Sequence, residues 1–129
     1  MYKEDIELAK KARLNAYSPY GNYYVGACLK CKDGSIYLGC NIENHGLQSL
    51  CAERTAFVKA LSDGKRDFSS IAIVGAPAGE ESTVKCMPCD YCRQFLSEFV
   101  DKDFTFVFED NGKIETYKLD DLLPHRFEF

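Results

Sequence analysis

Apolar positions along this chain recur with two periods, 3.6 and 2, and the switches between them outline its elements. From about Lys3 to Ala16, Ile6, Ala9, Ala12 or Arg13, and Ala16 repeat at helical spacing, widened by Leu8 and Leu14, with charges opposite. That pattern predicts an amphipathic helix. Ser18-Pro19-Tyr20-Gly21 ends it, because proline lacks a donor and disfavours the helical region for the residue before it. Tyr23 to Cys31 and Ser35 to Ile42 read as strands rich in β-branched and aromatic residues, and Asp33-Gly34 between them signals an antiparallel hairpin. A polar, glycine-bearing stretch from Asn41 to Leu50 leads to Cys51, after which Ala52, Ala56, Phe57, Ala60 and Leu61 mark a second helix ending near Asp63-Gly64.

Ser70 to Gly75 is a continuous apolar run, the mark of a central strand covered on both faces, reached from the hairpin by a right-handed crossover. A loop from Ala76 to Met87 precedes a third helix, from Cys89 to about Val100, that buries Phe95, Leu96 and Phe99. Phe104 to Phe108 is another buried strand, and Asn111-Gly112 turns it into a last strand, Ile114 to Leu119. Asp120 to Pro124 gives one helical turn before an aromatic tail. The expected fold class is α/β: three layers, α/β/α, around a mixed five-stranded sheet, with two cysteine-bearing helix N-termini at one sheet edge.

At 129 residues the chain makes one domain, 1–129, with enough surface to bury a core. A hydrophobic content of 46% beside 28% charge excludes disorder. The net charge of -4 removes the electrostatic footprint of a nucleic-acid binder and favours a small ligand of little charge. No run of 18 apolar residues offers a membrane span, and the N-terminus has no basic-then-apolar leader, so a cytoplasmic location is expected.

Seven cysteines, an odd number, suit a disulfide framework poorly and are better explained in part by metal ligation. Cys28, Cys31 and Cys40 read as small buried hydrophobes, and Cys28 and Cys31, three apart on a strand, should point to opposite faces. Cys51-Ala52-Glu53 and Pro88-Cys89-Asp90-Tyr91-Cys92 carry the chemistry. Three thiolates from Cys51, Cys89 and Cys92 would hold zinc and leave its fourth position open, as in a catalytic site. The spacing does not force that choice, since Cys89-x-x-Cys92 resembles a redox pair and Cys86 extends the series. Glu53, not a ligand, is expected to act as general acid and base. Three thiolates leave the cluster anionic, and Arg54 could draw charge back by hydrogen-bonding sulfur, or lie solvated on its helix; Gln94 is a similar outer-sphere candidate.

Together with Ser18-Pro19-Tyr20, Val25-Gly26-Ala27, Gly39-Cys40-Asn41-Ile42-Glu43-Asn44, Cys51-Ala52-Glu53-Arg54-Thr55-Ala56, Cys92-Arg93-Gln94 and Leu122-Leu123-Pro124, these motifs resemble the small homotetrameric, zinc-dependent cytidine deaminases over essentially the whole chain. The resemblance implies hydrolytic deamination of cytidine and deoxycytidine in pyrimidine salvage, with one Zn2+ per subunit and active sites shared in a homotetramer. It implies that Asn41 and Glu43 grip the sugar hydroxyls, that the Ala52 backbone meets the base carbonyl, and that Tyr23 and the tail residue Phe127 pack on the ligand. Read alone, Asn41 and Glu43 serve hydroxyl recognition or a loop hydrogen bond equally well, and Tyr23 and Phe127 are core or interface aromatics. The chain departs from the family in a 41–51 segment one residue shorter, with His45-Gly46-Leu47 in place of a tyrosine-bearing stretch, and in Asp90-Tyr91 between the last two cysteines. His45 could contact substrate or be solvated. Two alternatives remain: a deaminase of a modified, blasticidin-like cytosine nucleoside, and a non-catalytic zinc-stabilised interaction module.

Overall fold

In the computed structural model, which describes residues 2–45, 49–80 and 90–122, the sheet runs in the order β2-β1-β3-β4-β5. Strand β1 (Tyr23–Cys31) pairs antiparallel with both β2 (Ile36–Cys40) and β3 (Phe68–Pro77). Strand β3 pairs in parallel with β4 (Thr105–Asp110), and β4 antiparallel with β5 (Lys113–Lys118). The helices are α1 (Lys3–Arg13), α2 (Ala52–Ser62), α3 (Asp90–Ser97) and the single turn α4 (Leu119–Leu122). Both turn signals act as expected. Gly34 has φ +92 in the first hairpin, and Asn111 and Gly112, at φ +52 and +90, supply the two left-handed residues of a tight second one.

Alternation along the strands separates two cores. Ala27, Leu29, Ile71, Ile73, Phe106 and Phe108 face α2, α3 and α4, whereas Cys28, Ala72, Val74 and Val107 face Ile6 and Ala9 of α1. Cys28 and Cys31 fall in different cores, as their spacing requires. The larger core is aromatic: Phe57 lies 4.9 Å from Phe68 and 6.0 Å from Phe104, each pair adding about 0.5–1.5 kcal/mol beyond area burial.

Two strand glycines let a helix press on each face. A Cβ on Gly26 would stand 2.0 Å from the Ala9 carbonyl of α1, and one on Gly39 would stand 2.5 Å from the Ala52 carbonyl and 2.6 Å from the Ala56 nitrogen of α2. The second contact fixes where α2 begins, which is where the chemistry sits.

Element ends differ from the sequence reading. Helix α1 stops at Arg13, its last turn tightening through i to i−3 bonds from Leu14, Asn15 and Ala16, and Leu14, expected on the apolar stripe, is 69% exposed. Strand β3 extends beyond the apolar run at both ends, because β1 pairs with it as far as Pro77. Helix α3 ends at Ser97; Leu96 is buried, and Phe95 and Phe99 are half-buried with ring centroids 5.1 Å apart.

Candidate active site

Three short segments are stitched together beside the start of α2. Ile42 exchanges hydrogen bonds with Leu50, N to O at 2.9 Å and 2.8 Å in return, which ties the residues after β2 to those before α2. The Tyr17 nitrogen donates to the Asn41 carbonyl at 3.0 Å, and the Glu43 nitrogen to the Tyr17 carbonyl at 2.8 Å. Cys51 then caps α2 with extended backbone, its carbonyl accepting from the Thr55 nitrogen at 3.0 Å and the Thr55 hydroxyl at 3.1 Å. A thiol at this position meets the positive end of the helix, which favours the thiolate.

From α3, Cys92 enters fully buried, and Glu53 in the first turn of α2 is 3% exposed. One ligand atom from each of Cys51, Glu53 and Cys92 lies within 4.8 Å of the others. Burial pushes the Glu53 carboxyl above the ordinary range, opposed by its own backbone N–H, the Cys92 and Cys51 thiols and the Arg54 charge. Two sulfurs each about 2.3 Å from one zinc ion stand at most about 4.6 Å apart, so this spacing is on the scale of a shared zinc. Two sulfurs with a buried carboxyl beside them suit that ion. Cys89 and Cys86 lie outside the described residues, as does Phe127.

Around this centre the other expected residues are variously engaged. Asn41 bridges the start of β1, its Oδ1 accepting from Val25 N at 2.9 Å and its Nδ2 donating to Tyr23 O at 2.9 Å, so the loop-bonding role is realised. Glu43 accepts from Tyr20 N at 2.9 Å and Gly21 N at 3.1 Å, which holds its carboxyl below the usual range. Ala52 is fully buried and Tyr23 half-buried at the head of β1. The Arg54 guanidinium lies 5.8 Å from the centroid of the Phe95 ring, a cation–π contact between α2 and α3. Gln94 donates to the Ser97 hydroxyl at 3.4 Å within α3. His45 pairs with Tyr20, hydroxyl to Nδ1 at 2.7 Å with the rings edge to face, on a cleft of about 240 Å³ that Glu43, Asn44 and Ser49 also line.

Several supporting residues carried weak signals. Gly39 signalled only as a glycine inside a strand, the mark of a close backbone approach. The Ser18 hydroxyl accepts from Tyr23 N at 3.1 Å, and Arg13, on the apolar stripe of α1, is 5% exposed and bonded to four backbone carbonyls.

Comparison with known proteins agrees with this geometry. The chain is 45% identical over 124 residues to a cytidine deaminase of Sporosarcina psychrophila, covering 95% of this chain and 88% of the relative. It is 30% identical over 131 residues to a blasticidin-S deaminase of Bacillus cereus, covering 97% and 93%. The crystal structure of a cytidine deaminase from Burkholderia pseudomallei superposes with TM-score 0.89 at 38% identity, over 98% of this chain and 99% of that one. The family profile described as the cytidine and deoxycytidylate deaminase zinc-binding region matches residues 2–108, and the chain belongs to that family.

Proposed function

We propose that this chain hydrolyses cytidine and deoxycytidine to uridine and deoxyuridine, releasing ammonia, with one zinc ion per subunit. The observation that carries the reading is the buried Glu53 carboxyl gathered with the Cys51 and Cys92 sulfurs within 4.8 Å. Cys51, Cys92 and, from the sequence, Cys89 hold the zinc, which when bound supplies the Lewis acidity that makes water nucleophilic at neutral pH. Glu53 handles the protons. Burial raises its affinity for a proton, so the ionised carboxylate can take one proton from water and give it to the pyrimidine ring nitrogen, then take the second from the added hydroxyl and deliver it to the departing amine. Water adds, ammonia leaves, and Glu53 returns to its starting state.

The sugar falls to the stitched loops. A carboxamide has four hydrogen-bonding positions and Asn41 gives two to β1, so the strand orients it while one donor and one acceptor site serve the substrate. Glu43, ionised and fixed by Tyr20 and Gly21, accepts from sugar hydroxyls. Ala52 turns its backbone to the base, and Tyr23 and Phe127 cover the ligand. Arg54 and Gln94 support the sulfurs from outside.

Residues 1–129 act as one catalytic domain in a cytoplasmic homotetramer serving pyrimidine salvage, with no nucleic-acid or membrane partner. Exposed Leu14, Tyr17, Ile36, Ile42 and Val58 support contact between subunits, and among the described residues no helix is long and apolar enough to cross a membrane. One observation favours a second reading, deamination of a blasticidin-like nucleoside: the Tyr20–His45 pair occupies the cleft beside Glu43. Zinc-loaded protein incubated with cytidine, deoxycytidine, cytosine, cytidine monophosphate and such an antibiotic decides between them by ultraviolet loss. Turnover of the first two supports the proposal, turnover of the antibiotic alone the second reading, and turnover of none leaves the non-catalytic module.

A further inference from the structure

Arg13 stands where the amphipathic pattern of α1 asks for an apolar side chain, in line with Ile6 and Ala9, and it is 5% exposed. Its guanidinium reaches two strands at once. Nε donates to the Tyr24 carbonyl of β1 at 3.1 Å, and Nη2 to the Ala76 and Pro77 carbonyls of β3 at 3.0 Å and 3.2 Å, while Nη1 donates to Glu80 O at 3.0 Å. Tyr24 and Ala76 face each other in the antiparallel ladder, and the Tyr23–Pro77 pair beyond them is its last. A planar fork across the next-to-last pair holds an end that would otherwise fray. Anchoring α1 does not call for these bonds, because Ile6 and Ala9 already pack on Cys28, Ala72 and Val74, and Gly26 admits the helix to the sheet.

The other edge of the same strand end is where Asn41 sits. Pairing of β1 with β2 stops at Gly26 and Cys40, and Asn41 supplies the partner from there on. Its backbone nitrogen donates to Val25 O at 3.2 Å, its Oδ1 accepts from Val25 N at 2.9 Å, and its Nδ2 donates to Tyr23 O at 2.9 Å. The two groups that hold the Asn41 carboxamide therefore belong to the residues on either side of Tyr24, whose carbonyl Arg13 grips. Whatever fixes the backbone at Tyr24 fixes the carboxamide.

We propose that Arg13 is a positioning residue for sugar recognition: by clamping Tyr24 to Ala76 it steadies the head of β1 beneath Asn41, and so sets the direction in which the remaining carboxamide donor and acceptor meet the substrate hydroxyls. The inference rests on the sugar contact given to Asn41 in the proposed function. Lysine cannot substitute, since one ammonium cannot span carbonyls of two strands as a planar five-donor fork does. A sugar contact made equally in ground and transition states acts on KM and leaves kcat alone.

The test measures kcat and KM for cytidine and for dideoxycytidine, which lacks both secondary sugar hydroxyls, with zinc-loaded wild type, Arg13→Met, Arg13→Lys and Ile6→Val, each well below its own melting temperature. Ile6→Val loosens the same helix without touching the clamp. The expected result in the Arg13 variants is a KM for cytidine higher by roughly 2- to 10-fold, the equivalent of one hydrogen bond to substrate, with kcat held. Their KM for dideoxycytidine should stay at the wild-type value, as should both KM values in Ile6→Val. A wild-type KM for cytidine in the Arg13 variants, an equal rise for dideoxycytidine, or the same rise in Ile6→Val overturns the role. If Arg13→Met does not fold, Arg13→Lys carries the comparison. Wild-type protein that turns over both nucleosides with one KM, or neither of them, would instead refute the sugar contact on which the inference rests.

Discussion

Gly39→Ala isolates how far catalysis depends on the seating of α2. An added Cβ would stand 2.5 Å from the Ala52 carbonyl, 2.6 Å from the Ala56 nitrogen and 3.1 Å from the Ala56 Cα, all backbone atoms that no side-chain rotation can move aside. Restoring ordinary contact at 3.4 Å requires the first turn of α2 to retreat by about 0.9 Å from its 2.5 Å approach. Gly39 does not have the positive φ of Gly34, so the perturbation is steric. Overpacking of this kind costs about 1–3 kcal/mol, and a displacement of about 1 Å at reacting groups costs about 10²-fold in rate. Cys51 and Glu53 ride on that turn. The expected outcome is a folded variant of lowered melting temperature whose kcat for cytidine falls about 10²-fold. Gly34→Ala is the control: nothing lies within 4 Å of its added Cβ, but φ is +92, so stability should drop while kcat holds. Wild-type kcat in Gly39→Ala, or equal losses in both variants, would refute the reasoning.

Two further predictions concern titration. The Glu43 carboxyl lies lower in the folded protein than its ordinary 4.5, chiefly through the Tyr20 and Gly21 N–H groups, so its contribution to stability is present above pH 4.5 and fades as pH falls through the folded value. Acid unfolding of Glu43→Gln should therefore fall less steeply below pH 4.5 than that of wild type, and parallel curves would reject the assignment. Burial, then the Asp5 charge, pushes the Cys28 thiol from 9.0 to about 12, so its contribution is intact below pH 9.0 and lost as pH rises toward 12. Mass spectrometry after alkylation of the native protein at mildly alkaline pH should find Cys28 unmodified; ready labelling there would contradict the packing.

The sequence made the fold legible wherever pattern and turn chemistry agreed. The run Ile71 to Val74 predicted a strand buried on both faces, and it is the middle strand of the sheet, with Ile71 and Ile73 in one core and Ala72 and Val74 in the other. Asn111-Gly112 predicted its hairpin because only a few residues take two successive positive φ angles. Boundaries were less legible: Leu14 fits the stripe of α1, but the last turn tightens before reaching it. In the candidate site, the convergence of Cys51, Glu53 and Cys92 was readable because short local spacings place each at a helix start. Asn41 was ambiguous between ligand and loop, and its bonds to Tyr23 and Val25 show the loop role, which depends on the strand across from it. Arg13 was hidden because its acceptors at 76–80 are more than sixty positions away, where neither periodicity nor a motif connects them.

The central claim is that Glu53 moves protons in a zinc site it does not help to build. Its most direct test is zinc content and cytidine turnover measured on one preparation of Glu53→Gln. The account predicts wild-type zinc stoichiometry with turnover lower by about 10²–10⁴-fold, the range for loss of a general acid and base. Undiminished turnover, or loss of the zinc with the carboxylate, would contradict it.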